Sequence, residues 1–223
     1  MPTTLWGKTK MTHTERFVSM GFTDEQFPAG THMCYIYKDD QERKEFIAKY
    51  LSLGLQGHEK VNYFVDVISP EEMRAQFNEL GLNLPLEMDE RDFSISRALE
   101  IYCTGSKFVP ENTLQKLRSM YALSIDEGYS GTRISGEMSW VLREGLEDTD
   151  RLMEYESLVN TVLLDYPLTA ICQYDARRFN GSTLFDVLNV HPMMIIRGQV
   201  VRNPYYVVPE KFLANYVAPS FWS

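Results

Sequence analysis

Cysteine is scarce in this chain. Three residues, Cys34, Cys103 and Cys172, are spread over 223 positions. An odd count at such spacing makes no disulfide framework, and free thiols fit a reducing compartment. No CxxC pair occurs, which argues against a structural zinc ribbon. Long apolar runs are missing as well, so no membrane association is expected. The opening MPTTLWGKTKMTHTERF lacks the apolar segment of a secretory signal, and the expected location is the cytoplasm. Positive charge is in short supply: 22 Lys and Arg stand against 31 Asp and Glu, a net charge of −9. Arg177-Arg178 is the densest basic spot beside scattered lysines in the first helices, so direct nucleic-acid binding is not expected.

Phosphate-binding glycines are also missing. A P-loop needs GxxxxGK[ST] between a strand and a helix, so that backbone N–H groups can approach the phosphates. Gly7-Lys8-Thr9 mimics its end, but Pro2 stands where the first glycine belongs. A GxGxxG dinucleotide fingerprint does not occur. No ATP site of the usual kind is expected, and with it no enzyme of that class.

What is present is an ordinary globular composition, 44% apolar and 24% charged, enough for one large domain with a sizeable core. Residues 1–27 read as a polar extension or an added helix, and 28–223 as a single domain. Strands are expected at Met33–Tyr37, in KVNYFVD, within DFSISRALEIYC, at TRISGEM and at LTAICQYD. Helices alternate with them. One follows Asp39, whose carboxylate suits an N-cap with Glu42 three residues on. Others begin at Ser69-Pro70, at Pro110 and near Thr149, and a short one lies in STLFDVLNVH. MMIIRGQVVRNPYYV reads as a terminal hairpin turning near Arg197-Gly198. The alternation predicts an α/β fold, a mostly parallel sheet with helices on both faces. Ligands of such sheets bind outside the carboxyl ends of the strands. Asp66, Glu137, Tyr174 and Asp175 fall there.

The stretch THMCYIYKDDQERKEFIAKYLSLGLQGHEKVNYFVD, from Thr31, keeps the strand–helix–strand unit of a P-loop ATPase without its loop. Asp39 and Asp40 occupy the helix N-terminus, where they would repel phosphate and take up the free N–H donors.

These segments resemble a known family. FIAKYLSLGLQGHEKVNYFVD is similar to the helix and strand after the P-loop in KaiC-type, RecA-like ATPases. The ordered set His32-x-Cys34-x-x-Tyr37, Gly54-Leu55-x-x-x-Glu59-Lys60-Val61-x-Tyr63, Gly136-Glu137-Met138-Ser139-Trp140, Cys172-x-Tyr174-Asp175 and His191-Pro192 resembles the methanogen/methylotroph sensory (MEDS) domain of dichloromethane-responsive regulators. The resemblance covers about residues 28–210. It implies a RecA-like fold that has lost its P-loop and NTP hydrolysis, and a role in sensing small molecules within signalling and transcription regulation. Members are often fused to a histidine kinase or a helix-turn-helix domain. Neither is visible here, so a separate signalling partner, a kinase or transcription regulator, or a homodimer is expected to pass the signal on. No cofactor is implied.

Each candidate carries two readings. His32 and Cys34 share one side of the first strand. They are either ligand contacts, with the thiol open to redox chemistry, or a hydrogen-bonded core histidine beside a buried thiol. Tyr37 ends that strand and joins the candidate pocket. Glu137 either faces a ligand or fixes the next loop; as an enzyme's base it would lack a phosphate site. Met138 and Trp140 are either an apolar wall for a small organic ligand or core. Cys172 and Tyr174 alternate onto one face, and Asp175 either contacts ligand or pairs with Arg177 or Arg178. Convergence of His32, Cys34, Cys172 and His191 would suit zinc or copper. Their spacing holds no local ligand pair other than His32 and Cys34, and no metal is expected.

Overall fold

A computed structural model describes residues 16–81 and 92–216. Its centre is a seven-stranded sheet made of β1 (His32–Tyr37), β2 (Glu59–Val65), β3 (Phe93–Arg97), β4 (Gly131–Glu137), β5 (Thr169–Asp175), β6 (Met193–Ile196) and β7 (Gln199–Arg202). The spatial order is β7-β6-β1-β5-β4-β2-β3. Every neighbouring pair is parallel except the hairpin β6–β7. That hairpin turns through Arg197 and Gly198, both at positive φ, as a tight two-residue connection requires. The expected mostly parallel α/β sheet with a terminal hairpin is therefore the observed fold.

Helices cover both faces. α1 (Asp40–Gln56) and α2 (Pro70–Glu79) pack on one side, where Met33, Tyr35, Ile47, Tyr50, Tyr63 and Phe77 share a core. Helices α4 (Pro110–Asp126), α5 (Leu152–Asp165) and α6 (Gly181–Val190) pack on the other, over Cys34, Phe64, Ile134, Trp140, Cys172 and Tyr174. Strand alternation assigns residues to the two sides: Cys34 goes with Cys172 and Tyr174, and Met33 and Tyr35 go opposite. The helix caps are those the sequence announces. Asp39 Oδ1 accepts from the Glu42 N–H at 2.7 Å, and Ser69 with Glu72 closes a reciprocal capping box.

One segment departs from the sequence reading, and two helices add to it. Residues 16–28 form a two-stranded ribbon (Phe17–Ser19 with Gln26–Pro28) rather than an added helix, and Val18, Met20 and Phe27 bury in the α1-side core. Residues 1–15 lie outside the described residues. DFSISRALEIYC holds the expected strand, Phe93–Arg97, and then a short helix, α3 (Ala98–Tyr102). Ala98 and Tyr102, four apart, bury on one side, and helical spacing wins over further strand. A last helix, α7 (Pro209–Asn215), docks through Phe212.

Arg133 on β4 is buried with 1% exposure and needs internal partners. Its guanidinium donates to Glu59 Oε2 at 2.6 Å, to the Tyr50 carbonyl at 2.7 Å and to the Ser19 carbonyl at 2.9 Å. It also stacks over the Tyr50 ring, 4.6 Å from its centre. Gly54 of α1 makes room for this side chain: a Cβ there would lie 2.8 Å from Arg133 Cδ and 2.9 Å from Nε. Alanine normally favours a helix by about 1 kcal/mol over glycine. Gly54→Ala is expected to reverse that sign, lowering the urea midpoint, because a side chain held by three hydrogen bonds cannot yield cheaply.

Candidate functional site

Only Lys38 and Asp39 separate β1 from α1, so no loop exists there to wrap a phosphate. The space at the strand ends is filled from within. Arg43, one turn into α1 and 4% exposed, reaches Glu137 at the end of β4, and its Nη1 donates to Glu137 Oε1 at 2.8 Å. The same nitrogen lies 2.9 Å from Tyr63 Oη and 3.0 Å from Gln173 Oε1. Tyr63 donates its own hydroxyl to Glu137 Oε1 at 2.7 Å. The other carboxylate oxygen accepts the backbone N–H groups of Asp66 and Val67 at 2.8 and 3.1 Å. Burial alone would weaken the Arg43 charge, but Tyr63 and Glu137 hold it more firmly protonated than a free arginine. Glu137 therefore fixes the loop after β2.

The neighbouring carboxylates are engaged in the same way. Asp66 accepts from Ser139 Oγ at 2.6 Å and from Arg143 Nε at 2.8 Å. Asp175 takes Arg177 through its backbone N–H, Nε and Nη2 at 2.7–2.9 Å. The Tyr37 ring lies under the guanidinium groups of Arg43 and Arg177. Met138 and Trp140 are fully buried, and Trp140 stacks on Tyr102 at 4.9 Å. Beside this edge lies a cleft of about 180 Å³. Val141, Leu142, Leu152, Met153 and Phe179 give it apolar walls; Thr183 and Asp186 of α6 give it polar groups. Partial burial pushes the Asp186 carboxyl above its ordinary pKa.

On the α5 side the structure brings together His32, Cys172 and His191 from three distant parts of the chain. Glu156 of α5 joins them, and one ligand atom from each of the four lies within 4.8 Å of the others. All four are buried. His32 Nε2 sits 3.3 Å from Glu156 Oε2 and 3.4 Å from Cys172 Sγ. Glu156 Oε2 is 3.5 Å from His191 Nε2 and 3.4 Å from Cys172 Sγ. Tyr174 donates to the other oxygen, Glu156 Oε1, at 2.6 Å. Burial opposes ionisation of Glu156, yet the two imidazoles hold its pKa well below the usual carboxylate range. Burial pushes the Cys172 thiol well above its ordinary value, and Glu156 adds to the rise. Burial, with His191 beside it, lowers His32.

Cys34 is opposite Cys172 in the strand register, with its Sγ 3.8 Å from the Met193 carbonyl, outside the four-residue set. Burial raises its thiol to about 12. The sequence-predicted residues thus divide. His32, Cys172, Tyr174 and His191 meet on one face, with Cys34 beside them. Tyr37, Glu137 and Asp175 lie at the strand ends among arginines, and Met138 and Trp140 lie in the core. Glu156 and Arg43 were missed, although both leave a trace in the sequence. Glu156 falls on the apolar stripe of Leu152, Tyr155 and Val159, and Arg43 sits three and four residues before Phe46 and Ile47. A charge on an inward stripe needs a buried partner.

The Arg43–Glu137 pair offers a direct check. Arg43→Met leaves Glu137 buried without its cation and is expected to cost about 3–5 kcal/mol in urea unfolding. The double variant Arg43→Met/Glu137→Gln is expected to cost clearly less than the two single changes summed.

Known proteins place this geometry. Residues 31–192 match the family model described as the methanogen/methylotroph, DcmR sensory domain, MEDS. A stretch of 79 residues is 30% identical to the transcriptional repressor DcmR of Methylorubrum extorquens (strain DSM 6343 / CIP 106787 / DM4). That match takes in 35% of this chain and 29% of the repressor, so it spans less than a third of that relative's length. Among solved structures, a KaiC-like protein of Pyrococcus horikoshii OT3 superposes with a TM-score of 0.58 at 18% identity, covering 81% of this chain and 80% of that one. The flagellar accessory protein FlaH of Methanocaldococcus jannaschii gives 0.57 at 13% identity, with 84% of each chain covered. These likenesses identify the fold as KaiC- and RecA-like. With a family model matched over most of its length and the sheet that family implies, the chain belongs to the MEDS sensory-domain family.

Proposed function

We propose that this domain is a non-catalytic sensor of a small, partly apolar organic molecule, received at the carboxyl end of the sheet. The observation that carries the reading is the cleft walled by the segments that follow β4 and β5 and by α5 and α6. A volume of about 180 Å³ suits a ligand of a few heavy atoms, and the five apolar wall residues, set among Thr149, Asp150, Arg178, Asn180, Thr183 and Asp186, suit a partly polar organic one. Nucleotide turnover finds no support at this edge, since its carboxylates are already bonded internally.

The cleft is lined by the first turns of α5 and α6. Occupancy would bias how those helices seat on the sheet, a differential contact of the kind any ligand-driven switch requires. The relative DcmR is a transcriptional repressor. By that likeness, the altered α5–α6 surface would be read by a regulator, either a transcription regulator or a kinase, or by a second copy of the chain.

Thermal shift of the full chain against one-carbon and halogenated compounds and short alcohols tests the reading. A saturable rise in Tm is expected with at least one of them, and none with ATP–Mg²⁺. Thr183→Trp, which fills the cleft from the α6 side, is expected to weaken that response at least about tenfold, or about 1.4 kcal/mol. A rise with ATP–Mg²⁺ alone, no saturable response across the panel, or a response untouched by Thr183→Trp would overturn it.

A further inference from the structure

We propose that His32, Glu156, Cys172 and His191 form a closed tetrahedral site for a divalent transition metal of the zinc class. The site is separate from the cleft, and its claim stands whether or not the cleft binds a ligand.

The spacing is that of a coordination sphere. Zinc–ligand bonds of about 2.0–2.3 Å place tetrahedral donors about 3.3–3.8 Å apart. Four of the six edges here measure 3.3–3.5 Å. The remaining pairs stay within 4.8 Å.

Hydrogen bonding around the cluster aims lone pairs inward. His191 Nδ1 lies 2.8 Å from the Val187 carbonyl, which can only accept, so Nδ1 carries a proton and, in the neutral ring, Nε2 presents a lone pair. His32 Nδ1 lies 3.1 Å from Asn160 Oδ1. The Asn160 amide is oriented by its Nδ2, which donates to the carbonyls of Glu156, Ser157 and Val190, so its oxygen must accept from His32. His32 Nε2 therefore also presents a lone pair. Glu156 Oε2 is a third acceptor, its carboxylate held by Tyr174. With both rings neutral, the cluster offers one donor, the Cys172 thiol, against three acceptors. His191 Nε2 is left fully buried with no hydrogen-bond partner, a costly arrangement in a packed interior.

A dication resolves that imbalance. It would take one bond from each imidazole, one from the carboxylate and one from the sulfur. The Cys172 S–H bond breaks as the metal–sulfur bond forms, its electron pair stays on sulfur, and the proton leaves to solvent. Two neutral imidazoles, one carboxylate and one thiolate carry two negative charges, which a divalent ion neutralises inside the protein. The donor set of two nitrogens, one oxygen and one sulfur, with no exposed position, favours zinc or cobalt over magnesium or calcium. The partners of the outer nitrogens, Asn160 and Val187, are of the kind that orient metal-bound histidines.

The test uses the full chain, chelator-treated and then loaded with Co²⁺ or Zn²⁺. One equivalent of Co²⁺ should bind with the visible bands of tetrahedral cobalt and a thiolate-to-cobalt charge-transfer band. Zn²⁺ should displace it and raise Tm. Cys172→Ser should lose the charge-transfer band, while Cys34→Ser and Cys103→Ser keep it. Asn160→Leu should weaken the metal about 10–100-fold. If Cys172→Ser does not fold, the wild-type chain still decides: a chelator must lower its Tm and zinc must restore it. Folded wild-type chain that takes up no cobalt or zinc, or a charge-transfer band lost with Cys34 or Cys103 instead of Cys172, overturns the proposal. The response of the chelated chain to organic compounds is read separately, so loss of one claim is distinguishable from loss of the other.

Discussion

Arg43 reaches from the first turn of α1 to Glu137 at the end of β4, and this buried ion pair constrains everything around it. A charge at 4% exposure is tolerable only with its counter-charge and hydrogen bonds in place. Glu137 supplies the counter-charge, and Tyr63 and Gln173 supply further contacts. Glu137 in turn holds the backbone after β2 through two N–H groups. The carboxyl end of the sheet is thus a structural joint between α1, β2, β4 and β5. The protein's own charges occupy the space.

The two faces of the sheet handle buried polarity in opposite ways. On the α1 side, buried arginines meet carboxylates of the same chain, as Arg133 meets Glu59 and Arg43 meets Glu137. On the α5 side, two histidines, a glutamate and a thiol converge with acceptors in excess. No arginine or lysine stands in that four-residue set to neutralise it. An interior of this kind calls for a cation from outside the sequence, whereas the α1 side calls for none.

Position links this cluster to the cleft at the strand ends. Glu156 lies one turn beyond Leu152 and Met153 on α5, and Val187, which orients His191, follows Asp186 on α6. Phe179 lines the cleft and packs edge-on against Tyr174, 5.2 Å between ring centres, and Tyr174 holds Glu156. Changes at the cleft and at the cluster would therefore meet in the same two helices.

The sequence by itself determined the strands of the central sheet, their alternation with the long helices and the absence of a phosphate-loop signature. Those depend on local chemistry: Asp39 capping α1, Ser69 and Glu72 closing a capping box, Gly198 turning the hairpin, strand parity setting His32 with Cys34 and Cys172 with Tyr174. It marked His32, Cys172, Tyr174 and His191 but could not join them, because 140 positions separate His32 from Cys172. It did not show that Glu137 holds the backbone of Asp66 and Val67 after β2. Only the tertiary structure decided those points. Parallel β1 and β5 lie side by side through a long crossover, and α5 lays Glu156 over both, bringing groups far apart in sequence within bonding distance. The fate of each buried charge likewise depends on which distant side chain reaches it, and that is a property of packing rather than of local sequence.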